Sequence, residues 1–154
     1  MTSRFPYMKL APGAYQAMQG LEKYLHECSL EPTLIHLVKL RCSQLNGCAF
    51  CIDMHWKDLR VLCNEPEHRL YALDAWEESP FYSERERAAL AYAEACTNIQ
   101  DGHVSDEVYA HARTQLSELD VANLTFVVAT INAWNRLAIA SRAEPGHYQP
   151  KQVA

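Results

Sequence analysis

Asn46-Gly47-Cys48-Ala49-Phe50-Cys51-Ile52-Asp53-Met54-His55 is the stretch that organises the reading of this chain. Asn-Gly is a turn-forming pair and a helix stop, so one element ends here and another begins. The residues that follow fit a helix opening at or just before Cys48. At about 100° per residue, positions 48, 51 and 55 fall within roughly 60° of one another, so two thiols and an imidazole share one helix face. The unpaired amides of a first helical turn carry partial positive charge and lower a thiol pKa from about 8.5 toward neutrality. His55, one turn beyond Cys51, is the side-chain type that titrates nearest neutral pH, and it can take or return the thiol proton. Turn, helix start, C-x-x-C and the histidine together fit a redox dithiol, with a zinc site or a pair of incidental buried thiols as the other readings.

Outward from this stretch the chain reads as helices, because no segment alternates apolar and polar residues with Val, Ile or Thr enrichment. Upstream, Pro12-Gly13 opens a helix whose Ala14, Met18, Leu21 and Leu25 form one stripe, ending near Ser29. Pro32 starts a second, with Leu34, Leu37, Val38 and Leu45 on one face up to Asn46-Gly47. Downstream, the helix of the C-x-x-C runs to Glu65-Pro66, and a short helix spans 66–76. Ser83-Glu84-Arg85-Glu86 has the pattern of a capping box before the apolar run 88–95. Ser105 caps a helix through Tyr109 to Leu116, and Ser117-Glu118-Leu119-Asp120 opens a long last one that buries Leu124, Val127, Val128, Ile131 and Trp134. About seven helices result, in a single all-α domain over 1–154 with a core of about 10–145 and a loosely held tail over 146–154.

The whole chain has 154 residues, with 14 Lys+Arg against 19 Asp+Glu, a formal charge of −5. That balance gives no electrostatic reason to bind nucleic acid or an anionic membrane surface, and no apolar run approaches the roughly 20 residues a spanning helix needs. The first residues carry Arg4, Pro6 and Lys9 where a signal peptide needs an unbroken apolar stretch, which places the chain in the cytoplasm. In that reducing compartment the six cysteines are not structural staples. Cys28, Cys42, Cys63 and Cys96 read as small apolar packing residues, with Cys42 also able to trap oxidised forms as a third thiol. A tetrahedral metal held by Cys42, Cys48, Cys51 and His55 is the alternative, although Cys42 lies across the Asn46-Gly47 turn and there is no second pair at finger spacing. Asn132, Asn135 and Arg136 are polar residues on a buried helix and should satisfy buried groups or cross a subunit contact. His26, His68, His103, His111 and His147 read as surface residues.

The chain resembles the AhpD-like alkylhydroperoxidase and carboxymuconolactone decarboxylase superfamily. The resemblance rests on Leu37-Val38-Lys39-Leu40-Arg41, on Ser43 through His55, on Lys57-Asp58, and on Ala75-Trp76-Glu77-Glu78-Ser79-Pro80 with Ser83-Glu84-Arg85-Glu86-Arg87. Ile131-Asn132-Ala133-Trp134-Asn135-Arg136-Leu137 extends it, so that it covers roughly residues 10–145. It implies an all-helical fold that assembles into dimers, trimers or hexamers, and a peroxidase needing no metal, flavin or other cofactor. Its substrate would be hydrogen peroxide or an alkyl hydroperoxide, and its electrons would come from a thiol or dithiol protein. By the same resemblance Cys51 is the thiol that attacks peroxide, Cys48 is the resolving thiol and the one more open to a reductant, and His55 relays protons. The family's relay usually includes a glutamate twelve residues before the first cysteine; here that position is His36, read either as a relay member or as a surface or interface histidine. An imidazole there cannot supply fixed negative charge. Two alternatives are a decarboxylase-type enzyme, disfavoured by the intact cysteine pair, and a non-enzymatic redox-sensing oligomer.

Overall fold

The computed structural model describes residues 2–150 of the chain. Pro12 and Pro32 each sit at the start of a helix, where a missing N–H costs nothing; they open α2 (Pro12–His26) and α3 (Pro32–Leu45). A four-residue α1 (Tyr7–Leu10) precedes them. After the turn come α4 (Ala49–Val61) and α5 (Glu67–Tyr71), followed by a 3₁₀ turn at Leu73–Ala75. The single short helix expected over 66–76 is therefore broken at Ala72. Ser83 and Ser117 form complete capping boxes with Glu86 and Asp120, starting α6 (Glu84–Thr97) and α8 (Glu118–Ser141). Ser105 caps α7 (Asp106–Gln115) by accepting from the Val108 amide. Among the described residues the regular structure is eight α-helices and one 3₁₀ turn, with no strand.

The centre is α3, which packs against α4, α6 and α8. One apolar cluster joins Leu34, Val38 and Cys42 to Cys48 and Cys51, and to Leu124, Val127 and Ile131 of α8. A second joins Leu37 and Leu40 to Leu59, Leu70, Leu73 and Leu90. Each of these fully buried leucines stabilises the fold by about 1.5–3 kcal/mol relative to exposure. Every residue of α3 from Leu34 to Ser43 is buried, so the helix has no solvent face. Its polar members are inside because they are paired. Lys39 Nζ donates to Glu22 Oε2 at 2.5 Å, and Arg41 Nε donates to Glu94 Oε1 at 2.6 Å. Glu94 Oε1 also accepts from Trp76 Nε1 at 2.6 Å, tying α3, α6 and the 3₁₀ turn together.

Among the described residues beyond Pro145, 146–150, no regular structure forms, yet the segment makes contacts with α4. Lys57 Nζ donates to the carbonyls of Gly146 and Tyr148, both at 3.1 Å, and the Gly146 amide donates to Asp53 Oδ2 at 3.0 Å. Tyr148 reaches Asp58 with its hydroxyl. Residues 146–148 of the tail expected to be loosely held thus find partners on α4. Residues 151–154 of the expected tail lie outside the described ones.

Candidate active site

Gly47 adopts a φ of 67°, a conformation cheap only for glycine, and reverses the chain between α3 and α4. The turn is pinned from α8. Asn46 Nδ2 donates to Asn132 Oδ1 at 2.9 Å and to Asn135 Oδ1 at 2.8 Å, while Asn135 Nδ2 donates to Ser43 Oγ at 3.1 Å. Asn132 and Asn135, two of the polar residues expected to satisfy buried groups, thus fix where α4 begins, whereas Arg136 is exposed and donates to the carbonyl and Oδ1 of Asn132 on its own helix.

Cys48 is the N-cap of α4 and Cys51 lies in its first turn. Their sulfurs are joined as a disulfide, with Cα atoms 5.4 Å apart. Both cysteines are 1% exposed, so Cys48 is not the more open of the two in this chain. Phe50, between them, packs partly buried against the same apolar cluster. His55 is one turn on, 3% exposed.

His36 faces it from α3, 6% exposed and therefore not a surface residue. The two Nδ1 atoms are 3.3 Å apart, which requires one to donate and the other to accept. Asp58 completes the group, with Oδ2 at 3.7 Å from His36 Nδ1 and 3.6 Å from His55 Nδ1. Its other oxygen, Oδ1, accepts from the Tyr148 hydroxyl at 2.7 Å. The opposite ring nitrogen of His55, Nε2, is buried without a hydrogen-bond partner. Exposed His26 extends the row, its ring centroid 6.3 Å from that of His36.

Burial, aided by the neighbouring His55, pushes the His36 pKa down to about 3, against the pull of Asp58. Burial likewise lowers His55, opposed by Asp58. Burial alone would raise Asp58, but pairing with His55 and the hydrogen bond from Tyr148 hold it below the usual carboxylate range. The group is therefore two neutral imidazoles beside one carboxylate. Its three atoms lie within 4.8 Å of one another, a set that could hold a divalent cation. The four-ligand set Cys42, Cys48, Cys51 and His55 is not assembled that way: Cys48 and Cys51 pair with each other. Cys42 Sγ instead accepts from Thr97 Oγ1 at 3.2 Å, and burial pushes its pKa up to about 12.

Asp58 is the member that sequence reasoning missed. The available signal was its i+3 spacing from His55, which places both on one side of α4. Tyr148 carried no local signal at all, since its partner is 90 positions away.

A model of the carboxymuconolactone decarboxylase family matches residues 12–95. The uncharacterised protein YdfG of Bacillus subtilis is 43% identical over 140 residues, 91% of this chain and 95% of its own length. A crystal structure from Agrobacterium tumefaciens, of a protein of unknown function and candidate antioxidant defence protein AhpD, is similar with a TM-score of 0.91. It is 37% identical, over 96% of this chain and 100% of that one. A peroxidase-related protein of Ralstonia eutropha JMP134 with an alkylhydroperoxidase AhpD core shares the fold, with a TM-score of 0.80 at 17% identity, over 91% of this chain and 74% of that one. With its C-x-x-C at the head of α4 and its all-helical architecture, this chain belongs to the carboxymuconolactone decarboxylase family, among its AhpD-like members.

Proposed function

We propose that the protein is a thiol peroxidase that reduces hydrogen peroxide or an alkyl hydroperoxide through Cys48 and Cys51. Family membership suggests peroxidase-related or decarboxylase-type chemistry. The observation that favours the first is the pairing of the two cysteines at the start of α4, one turn before a buried histidine.

In the reduced protein His55 Nε2 takes the Cys51 proton, and the amides opening α4 favour the resulting thiolate. The thiolate attacks one peroxide oxygen. The O–O bond breaks, Cys51 becomes a sulfenic acid, and the departing alkoxide or hydroxide takes its proton from His55. Cys48 then attacks the sulfenic sulfur, the S–O bond breaks, water leaves, and the disulfide forms. Two electrons and two protons from a thiol or dithiol partner restore the pair. Since both sulfurs are 1% exposed, the partner's thiol reaches them only after a local opening of the structure around them. Nothing in these steps calls on a cofactor. His36 serves as the neutral partner of His55 rather than as a source of charge. Self-association through the outer face of α8 and a cytoplasmic location complete the proposal.

Cys51→Ser should abolish peroxide consumption, and Cys48→Ser should stop at a sulfenic acid that dimedone labels on Cys51. Peroxide consumption unchanged in Cys51→Ser would remove the nucleophile and with it the reading.

A further inference from the structure

The family resemblance leaves a gap at position 36, where an imidazole stands in place of a carboxylate. The structure fills that gap from another element. We infer that Asp58, held in place by Tyr148 from the C-terminal segment, is the positioning residue of a Cys51–His55–Asp58 constellation, supplying the negative charge that His36 cannot. This deepens the proposed function and rests on its assignment of Cys51 and His55.

The geometry carries the case. His55 Nδ1 lies 3.3 Å from His36 Nδ1 and 3.6 Å from Asp58 Oδ2, so a hydrogen on His55 Nδ1 sits between one acceptor nitrogen and one carboxylate oxygen. That tautomer leaves Nε2 with its lone pair, and Nε2 is one of three buried side-chain atoms without a hydrogen-bond partner among the described residues, and the one at this site. A buried polar atom left unpaired is costly unless it has work in another state of the site. Accepting the Cys51 proton is such work, since i, i+4 side chains on a helix are neighbours. Once protonated, His55 carries its charge beside Asp58, and a carboxylate on the Nδ1 edge stabilises the imidazolium more than it repels a thiolate on the opposite edge. A metal ion explains the group less well, because a ligating imidazole normally donates its second nitrogen to a partner and His55 Nε2 has none.

Tyr148 makes the carboxylate a fixed one. Its hydroxyl takes Oδ1 at 2.7 Å, which aims Oδ2 at the two rings. The segment bearing it is itself clamped by Lys57 and Asp53, so the end of the chain forms one wall of the site. The charged and titratable groups around His55 are Glu22 and His26 from α2, His36 and Lys39 from α3, Asp58 from α4 and Tyr148 from the tail. Lys39 is committed to Glu22 in an ion pair at 2.5 Å, leaving Asp58 as the carboxylate at His55.

The test is the pH profile of Cys51 alkylation by iodoacetamide in the reduced full-length protein, followed on the Cys51 peptide by mass spectrometry. It is run for wild type, Asp58→Asn, Asp58→Glu and Tyr148→Phe, with circular dichroism to establish folding. Asp58→Asn should raise the alkylation midpoint by about one pH unit, roughly a tenfold slower reaction at neutral pH. Asp58→Glu should recover part of the shift. Tyr148→Phe should give a smaller shift in the same direction, since the charge remains but its aim is lost. An unchanged or lowered midpoint in folded Asp58→Asn overturns the inference. If that variant does not fold, an unchanged midpoint in Tyr148→Phe overturns it instead. An Asp58-dependent midpoint in a wild type that consumes no peroxide would uphold this constellation and sink the peroxidase reading.

Discussion

Position 36 sets the charge state of the buried site. His36 titrates near 6.5 in an unfolded chain and is pushed down to about 3 when buried against His55; His55 moves in the same direction. Between the two values the unfolded chain binds protons that the folded one refuses, so stability rises with pH there and is lost as pH falls below about 6.5. The slope for one such imidazole is at most about 1.4 kcal/mol per pH unit. The urea midpoint should therefore drop between pH 7 and pH 5, and His36→Asn should flatten the drop; a wild type equally stable at both pH values would contradict the buried neutral pair. Cys42 gives a second residue-level expectation. With its pKa pushed up to about 12, it holds almost no thiolate at pH 8 and should stay unmodified by iodoacetamide in native protein, and its rapid alkylation would contradict that environment. The thiols and His55 were legible in the sequence because their spacing is local. Asp58 offered only its i+3 spacing from His55, which does not by itself set it apart from other helix carboxylates, and Tyr148 offered nothing, since its role comes from meeting Asp58 across the fold.

Among the elements, the turn before α4 shows how a local signal becomes a precise position. Asn46-Gly47 is readable as a stop, and Ser83 and Ser117 as caps, because each works through hydrogen bonds within a few residues. The lock that aims α4 is long-range. Asn135 reaches Asn46 across 89 positions and Ser43 across 92, so sequence reading could say only that it satisfies something buried. Asn135→Ala leaves both partners short of a hydrogen bond and should destabilise the fold by about 1–3 kcal/mol in urea titration; stability within experimental error of wild type would show the lock to be dispensable. Burial of α3 on every side was equally hidden. Lys39 and Arg41 are charged residues that usually stay at the surface, and only the positions of Glu22 and Glu94 make them core residues.

The whole molecule is all-helical, a class that the absence of alternating patterns already indicated, and its last helix leaves apolar surface uncovered. Leu119 and Phe126, seven residues apart and so on one side of the helix, are 59% and 53% exposed, and apolar side chains of this size on one face favour self-association. Sedimentation should give a mass well above the 17.5 kDa of one chain, and Phe126→Glu should move it toward the monomer. A monomeric wild type would contradict this assembly. Quaternary state could not be read from sequence because an apolar helix face looks the same whether it meets the core or another copy. The central claim, that Cys48 and Cys51 exchange electrons with peroxide, is tested most directly by mass spectrometry of the reduced protein before and after one equivalent of hydrogen peroxide. Two hydrogens should be lost from the peptide that carries Cys48 and Cys51, with Cys28, Cys42, Cys63 and Cys96 unchanged. No change on that peptide, or oxidation falling on the other four cysteines, would contradict it.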